Sequence, residues 1–267
     1  DFVLFCTQSP EFLLPTTACW IQDQLGIPCT AGALDFNLGC TGFIYGLSLA
    51  KGLIETRQAT NILLLTGETY SKFIHPEDRS VRTLFGDGAA ATLVQGKETS
   101  KNSPNEGIGP FIFGTDGSGA HNLKAEYSGV RSIKFSKSDL PSEEPSKEKY
   151  LYMNGPKIFN FTLKVVPQCV QELLSKSRLT LKDIDLFVFH QANAHILEHL
   201  RDKLNIDQSK FHLALEHVGN TVSSTIPIAL KDALSSQKLK PGQRIMLVGF
   251  GGGYSWASTL VNWFHNK

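Results

Sequence analysis

Asp1-Phe2-Val3-Leu4-Phe5-Cys6-Thr7-Gln8 and Asp185-Leu186-Phe187-Val188-Phe189-His190-Gln191 read as two versions of one strand. Each runs from an acidic residue through an apolar stretch of strand length into a polar cluster. The likeness continues outward. Cys40 precedes a helical pattern through Ala50-Lys51-Gly52-Leu53, and Asn220 precedes one through Leu230-Lys231-Asp232-Ala233. Cys40 and Asn220 stand 180 residues apart, as do Lys51 and Lys231. Ile62-Leu63-Leu64-Leu65 then matches Ile245-Met246-Leu247-Val248, and Ala91-Thr92-Leu93-Val94 matches Ser258-Thr259-Leu260-Val261. Two copies of one strand–helix–strand–strand unit place Cys40 and Asn220 at equivalent helix starts. A pseudo-two-fold axis then brings them to one pocket.

Strands are predicted at Phe2–Cys6, Ala33–Asn37, Ile62–Thr66, Ala90–Val94, Leu186–Phe189, Ile245–Gly249 and Ser258–Trp263. Helices are predicted at Thr16–Leu25, Thr41–Thr56, Gly155–Ser177, Ala194–Leu204 and Ser223–Gln237. Strands alternating with helices argue for an α/β fold. Residues 1–95 form the first half, carrying Cys40, and residues 150–267 the second, carrying His190 and Asn220. Residues 96–149, rich in Ser, Gly, Lys, Glu and Pro, read as a partly ordered connection. The chain opens directly into a buried strand at Phe2, which leads to the expectation that an N-terminal piece precedes Asp1.

Composition limits the function classes. Hydrophobic residues make up 41% and charged residues 19%, and 26 basic against 25 acidic side chains leave a net charge of +1. That balance exerts no global pull toward nucleic acid or an anionic membrane. No apolar run approaches the ~18 residues of a membrane span, and no signal peptide is evident. Five cysteines (Cys6, Cys19, Cys29, Cys40 and Cys169), odd in number and without C-x-x-C spacing, read as reduced cytoplasmic thiols.

Three positions carry chemical potential. Cys40, in Leu38-Gly39-Cys40-Thr41-Gly42-Phe43, stands at a helix N-terminus, where the dipole and unpaired N–H groups favour thiolate. His190 ends a buried strand, where α/β sites form. Asn220, in His217-Val218-Gly219-Asn220-Thr221, reads as a cap or turn residue, or as an amide donor to an anionic oxygen. His195 and His199 are four apart on a helix, but no Glu or Cys completes a metal set, so no metal is expected. Gly249-Phe250-Gly251-Gly252-Gly253 lacks the Gly-Lys-Ser/Thr ending of a phosphate loop and reads as a tight turn approaching a ligand.

Together, Asn37-Leu38-Gly39-Cys40-Thr41-Gly42-Phe43, Phe85-Gly86-Asp87-Gly88-Ala89, His190-Gln191-Ala192-Asn193, His217-Val218-Gly219-Asn220-Thr221 and Gly249-Phe250-Gly251-Gly252-Gly253 resemble the ketoacyl-acyl-carrier-protein synthase III family of the thiolase superfamily, in the family's order. The resemblance implies a duplicated five-layer α/β/α/β/α fold, a homodimer, and a family pattern beginning upstream of Asp1. It implies a decarboxylative condensation of an acyl-CoA primer with a malonyl group on acyl carrier protein, without a cofactor. Cys40 would be acylated, His190 and Asn220 would assist decarboxylation, and the N–H groups of Cys40 and of a residue near Gly253 would form an oxyanion hole. Arg79 matches a coenzyme A contact, Gly155 and Phe159 the wall of the pantetheine tunnel, and Leu14 a gate to the neighbouring subunit's acyl pocket. Two positions depart from the family pattern: His195 replaces a carrier-docking arginine, and Pro156 replaces an asparagine after the tunnel glycine.

The alternative on the same scaffold is an acyltransferase or thioester hydrolase that uses the Cys40 acyl-enzyme without decarboxylation. A papain-like hydrolase orders Cys, His and Asn in the same way, but its Cys-Gly-Ser/Ala-Cys-Trp/Tyr signature is missing and the repeat is foreign to it. A silent binding member is disfavoured by the intact Cys40, His190 and Asn220.

Overall fold

Continuous apolar runs make strands buried on both faces, which belong at the centre of parallel sheets. The computed structural model, which describes residues 1–98, 107–125 and 150–264, places both repeated runs in that way. In the first half, β1 (Phe2–Cys6) lies between β2 (Gly32–Phe36) and β3 (Asn61–Glu68), parallel to both, and Leu4 faces Leu34 and Leu64. β4 (Gly88–Gln95) runs antiparallel beside β3. In the second half, β8 (Leu186–Phe189) pairs parallel with β9 (Arg244–Gly251), which pairs antiparallel with β10 (Ser255–Asn262). The orders β2-β1-β3-β4 and, with β5 (Ile108–Thr115) at the edge, β5-β10-β9-β8 therefore share one motif, with β1, β3 and β4 matching β8, β9 and β10. A parallel bridge from Phe187 to Phe211 stands where β2 flanks β1.

Helices fill three layers around these sheets. α1 (Thr17–Gln24) covers the first sheet outside. α2 (Gly42–Glu55) and α6 (Thr225–Ser235) lie between the sheets, where Phe43, Ile44, Leu47, Ile226 and Ala229 join Leu4, Leu64, Val188 and Leu247 in one buried cluster. α4 (Gly155–Ser177) and α5 (Ala194–Lys203) cover the second sheet, with Val166, Val170, Leu173, Leu197 and Leu200 packed on Phe187 and Phe189. Right-handed crossovers from β1 to β2 and from β2 to β3 send α1 and α2 to opposite faces. The outcome is the five-layer α/β/α/β/α arrangement that the resemblance implied. No helix among the described residues is long and apolar enough to cross a membrane.

The connecting stretch differs from a plain linker. β5 (Ile108–Thr115) lies within it and pairs antiparallel with β10 at the edge of the second sheet. Gly109 and Pro110 disguise this strand, but an edge position tolerates a residue without an N–H. β6 (Leu123–Ala125) and β7 (Leu151–Met153) form a small hairpin ladder. Short α3 (Arg79–Arg82) was also missed; Asp78 caps it by accepting from Ser80 N. Most of the Ser/Lys/Glu-rich stretch, 99–106 and 126–149, falls outside the described residues.

The all-buried β8 makes a first prediction. Phe189 is fully buried between α5 and Phe211. Phe189→Ala is expected to lower unfolding free energy by about 3–5 kcal/mol, read from the shift of the denaturant midpoint at unchanged slope.

Candidate active site

The ends of the matched elements converge. After β2, Asn37 to Gly39 turn the chain so that Cys40 stands two residues before α2, next to its N-cap Thr41. After β8, His190 N donates to Val248 O at 2.7 Å, which fixes the histidine to the neighbouring strand. Asn220 N donates to Leu84 O at 2.9 Å and Gly86 N to Asn220 O at 3.0 Å, so the Phe85-Gly86-Asp87-Gly88 turn of the first half holds the asparagine of the second. Cys40, His190 and Asn220 line one cavity of about 560 Å³.

Orientation follows from the hydrogen bonds. Asn220 Oδ1 accepts from Val222 N at 2.9 Å, which leaves the amide NH₂ as the end available to the cavity. His190 Nδ1 is 2.7 Å from Thr225 Oγ1, and Nε2 has no protein partner among the described residues. The rest of His190-Gln191-Ala192-Asn193 serves as scaffold. Gln191 ties Phe189 O and His212 O to Ala214 N, and Asn193 caps α5 by accepting from Ile196 N at 2.9 Å.

Burial sets the electrostatics. His190 is depressed to about 3 by desolvation, so its ring is neutral at physiological pH. Cys40 is pushed up to about 12, first by burial and then by the negative charge of Glu68. Hydrogen bonds from its own N–H and that of Gly252 oppose the rise without reversing it. This corrects the expectation of a resting thiolate at a helix N-terminus: a cysteine only 9% exposed loses more to desolvation than a helix end of about half an elementary charge returns. The loop donor that reaches the sulfur is Gly252 N–H, one residue before the Gly253 that sequence singled out.

The glycines of this loop have a steric reason. A Cβ on Gly251 would stand 2.7 Å from Cys40 Sγ. Gly251→Ala is therefore expected to slow alkylation of the Cys40 thiol by iodoacetamide at least tenfold while the protein stays folded, checked by the mass of the modified protein against time and by circular dichroism.

The remaining sequence-derived residues divide. Gly155 and Phe159 line the cavity, as do Pro156 and His195. Pro156 occupies the first turn of α4, where a missing N–H costs little. Phe159 stacks on His195 with ring centroids 5.7 Å apart. Arg79 and Leu14 are not part of the lining; Ser80 beside Arg79 is, and Leu14 is 79% exposed. His195 and His199 lie with ring centroids 4.3 Å apart, and among the described residues no three potential ligands gather around a metal position. Leu84, Leu123, Met153, Ile158, Asn160 and Ile196 also line the walls; no motif marked them.

Comparison with known proteins decides the family. Residues 34–117 match the family model described as 3-oxoacyl-[acyl-carrier-protein] synthase III, and residues 174–263 match its C-terminal counterpart. The β-ketoacyl-[acyl-carrier-protein] synthase III of Clostridium tetani is 37% identical over 265 residues, which is 98% of this chain and 77% of that protein. The chain belongs to the 3-oxoacyl-[acyl-carrier-protein] synthase III family. A crystal structure of a synthase III superposes with TM-score 0.91 at 50% identity, covering 98% of this chain and 78% of that one. The synthase III of Thermus thermophilus gives 0.85 at 35%, covering 98% and 77%. Synthase III enzymes are acyl-transferring condensing enzymes of the thiolase-like α/β fold, and this chain is one of them.

Proposed function

We propose that this synthase III starts fatty acid synthesis by joining an acyl-CoA primer to a malonyl group on acyl carrier protein. The observation that carries the reading is the convergence of one thiol, one imidazole and one carboxamide on a single apolar-walled cavity. In the first half-reaction the Cys40 sulfur forms a thioester with the acyl carbon, and the sulfur of coenzyme A leaves with the thiol's proton. In the second, the malonyl thioester loses CO₂, and its electron pair moves onto the thioester oxygen and α-carbon. His190 and the Asn220 NH₂ face that oxygen, where two donors stabilise an enolate. The α-carbon then attacks the acyl carbon, the N–H groups of Cys40 and Gly252 hold the oxyanion, and Cys40 departs to be reprotonated.

No cofactor beyond the two thioesters is required by this scheme. Gly155 and Phe159 form the wall along which the pantetheine arm descends, and Arg79, beside the cavity-lining Ser80, meets the coenzyme A phosphates outside. The outward Leu14, with Phe12 and Leu13 also exposed, suits a homodimer in which this loop closes the partner's acyl pocket. Five free cysteines agree with a cytoplasmic location. The test supplies acyl-CoA and malonyl-carrier and follows CO₂ and intact protein mass. Malonyl-dependent CO₂ release with a 3-oxoacyl product supports condensation. Acyl transfer or hydrolysis without CO₂ release overturns it in favour of the alternative acyltransferase.

A further inference from the structure

Glu68, the last residue of β3, has no part in the chemistry above, yet it is 3% exposed and linked to the Cys40 turn through Gln8. Among the described residues no cation pairs with it. Its oxygens accept instead from Gln8 N at 3.2 and 3.0 Å, Ser9 Oγ at 3.2 Å and Ser223 Oγ at 2.8 Å. These donors belong to two turns that matter. Gln8, whose Oε1 also accepts from Tyr70 at 2.5 Å, packs so closely on Gly39 that a Cβ there would stand 2.6 Å from this oxygen; Gly39 leads into Cys40. Ser223 follows Val222, whose N–H orients the Asn220 amide.

We infer that Glu68 is a positioning residue: it braces the turns that carry Cys40 and Asn220, and its negative charge adds to burial in disfavouring the thiolate of the resting nucleophile. The ionisable groups facing it are Cys6 from β1, Cys40 from the turn before α2 and Tyr70 from the turn after β3; burial raises all three, and the charge of Glu68 adds to the rise. Burial lifts Glu68 itself to about 7. Below that pH the carboxyl gains a proton, gives up an acceptor position in the brace and no longer opposes the thiolate. A resting thiol resists oxidation and stray electrophiles, because the thiolate is the reactive form.

The inference rests on Cys40 being the nucleophile, but its test does not need condensation. Iodoacetamide alkylation is followed across pH on the Cys40 peptide by mass spectrometry, which separates it from exposed Cys19 and Cys29. Glu68→Gln is expected to move the Cys40 profile to lower pH, making alkylation several-fold faster at a fixed pH, while kcat for condensation falls about tenfold at little changed KM. Glu68→Asp keeps the charge and the wild-type profile. Ser223→Ala removes a donor that favours the carboxylate, so it shifts the profile the same way by less, and it decides the matter if Glu68→Gln does not fold. A Glu68→Gln profile that superimposes on wild type, or a Glu68→Asp shift equal to that of Gln, overturns the inference. If acyl-CoA labels a residue other than Cys40, the nucleophile assignment fails instead.

Discussion

Cys40→Ala is expected to retain no acyl group from acyl-CoA and to lose condensation by at least 10⁴-fold. In the proposed scheme the thiol forms the covalent bond, and among the described residues no second nucleophile lines the cavity at its position: the neighbouring wall is Phe250 and Gly251. Cys6, the nearest other thiol, donates to Leu38 O at 2.9 Å and is pushed further up by burial and Glu68. Intact mass after incubation with acyl-CoA checks this; an undiminished adduct in the variant would remove Cys40 from the mechanism. The wild-type rate carries a pH signature of the same origin. Because the thiol titrates at about 12, acylation is expected to rise with pH across the neutral and mildly alkaline range without a plateau near 8.

His190→Ala and Asn220→Ala are expected to separate the half-reactions. In the proposed scheme each removes one donor to the enolate oxygen, so a loss of about 10²–10³-fold in malonyl decarboxylation is expected, whereas acylation of Cys40 falls tenfold or less. The neutral imidazole matters here. A ring held near pKa 3 changes no charge between pH 5 and 9, so decarboxylation is expected to show no histidine inflection in that window. The Asn220 amide acts through NH₂, since Oδ1 is committed to Val222 N. Asn220→Asp would replace a donor with an acceptor and is expected to be as damaging as alanine. Equal losses in both half-reactions, measured by acyl-enzyme mass and by CO₂ release, would count against these roles.

Much of this was legible in the residues. The duplicated apolar runs foretold paired sheets, because strands buried on both faces leave little room for polar interruption. Cys40, His190 and Asn220 stood out because each ends such a run or opens a helix. β5 stayed hidden because its pairing with β10 is set by tertiary context, while Gly109 and Pro110 argued locally for a loop. Leu123 and Met153 were equally silent: ordinary apolar residues gain meaning only when a ladder turns them toward a cavity. Glu68 closes an apolar strand and reads as the first solvated residue after it. Nothing in the sequence announces that turns from both halves wrap it. The ionisation of Cys40 was misjudged for a related reason: a helix start can be read from a chain, and the depth at which it is buried cannot.

The cavity's floor and walls come from different kinds of structure. The floor is the end of β9 with the Cys40 turn, continuous with a strand buried from Ile245 to Gly251 and allowing no added carbon at Gly251. The walls are side chains such as Leu123, Met153 and Phe159, carried by a short ladder and the first turn of a helix. Diversification among paralogues is thereby channelled: drift at the walls can retune which primer fits while bond-making machinery stays untouched, so new substrate ranges are accessible by single steps that preserve turnover.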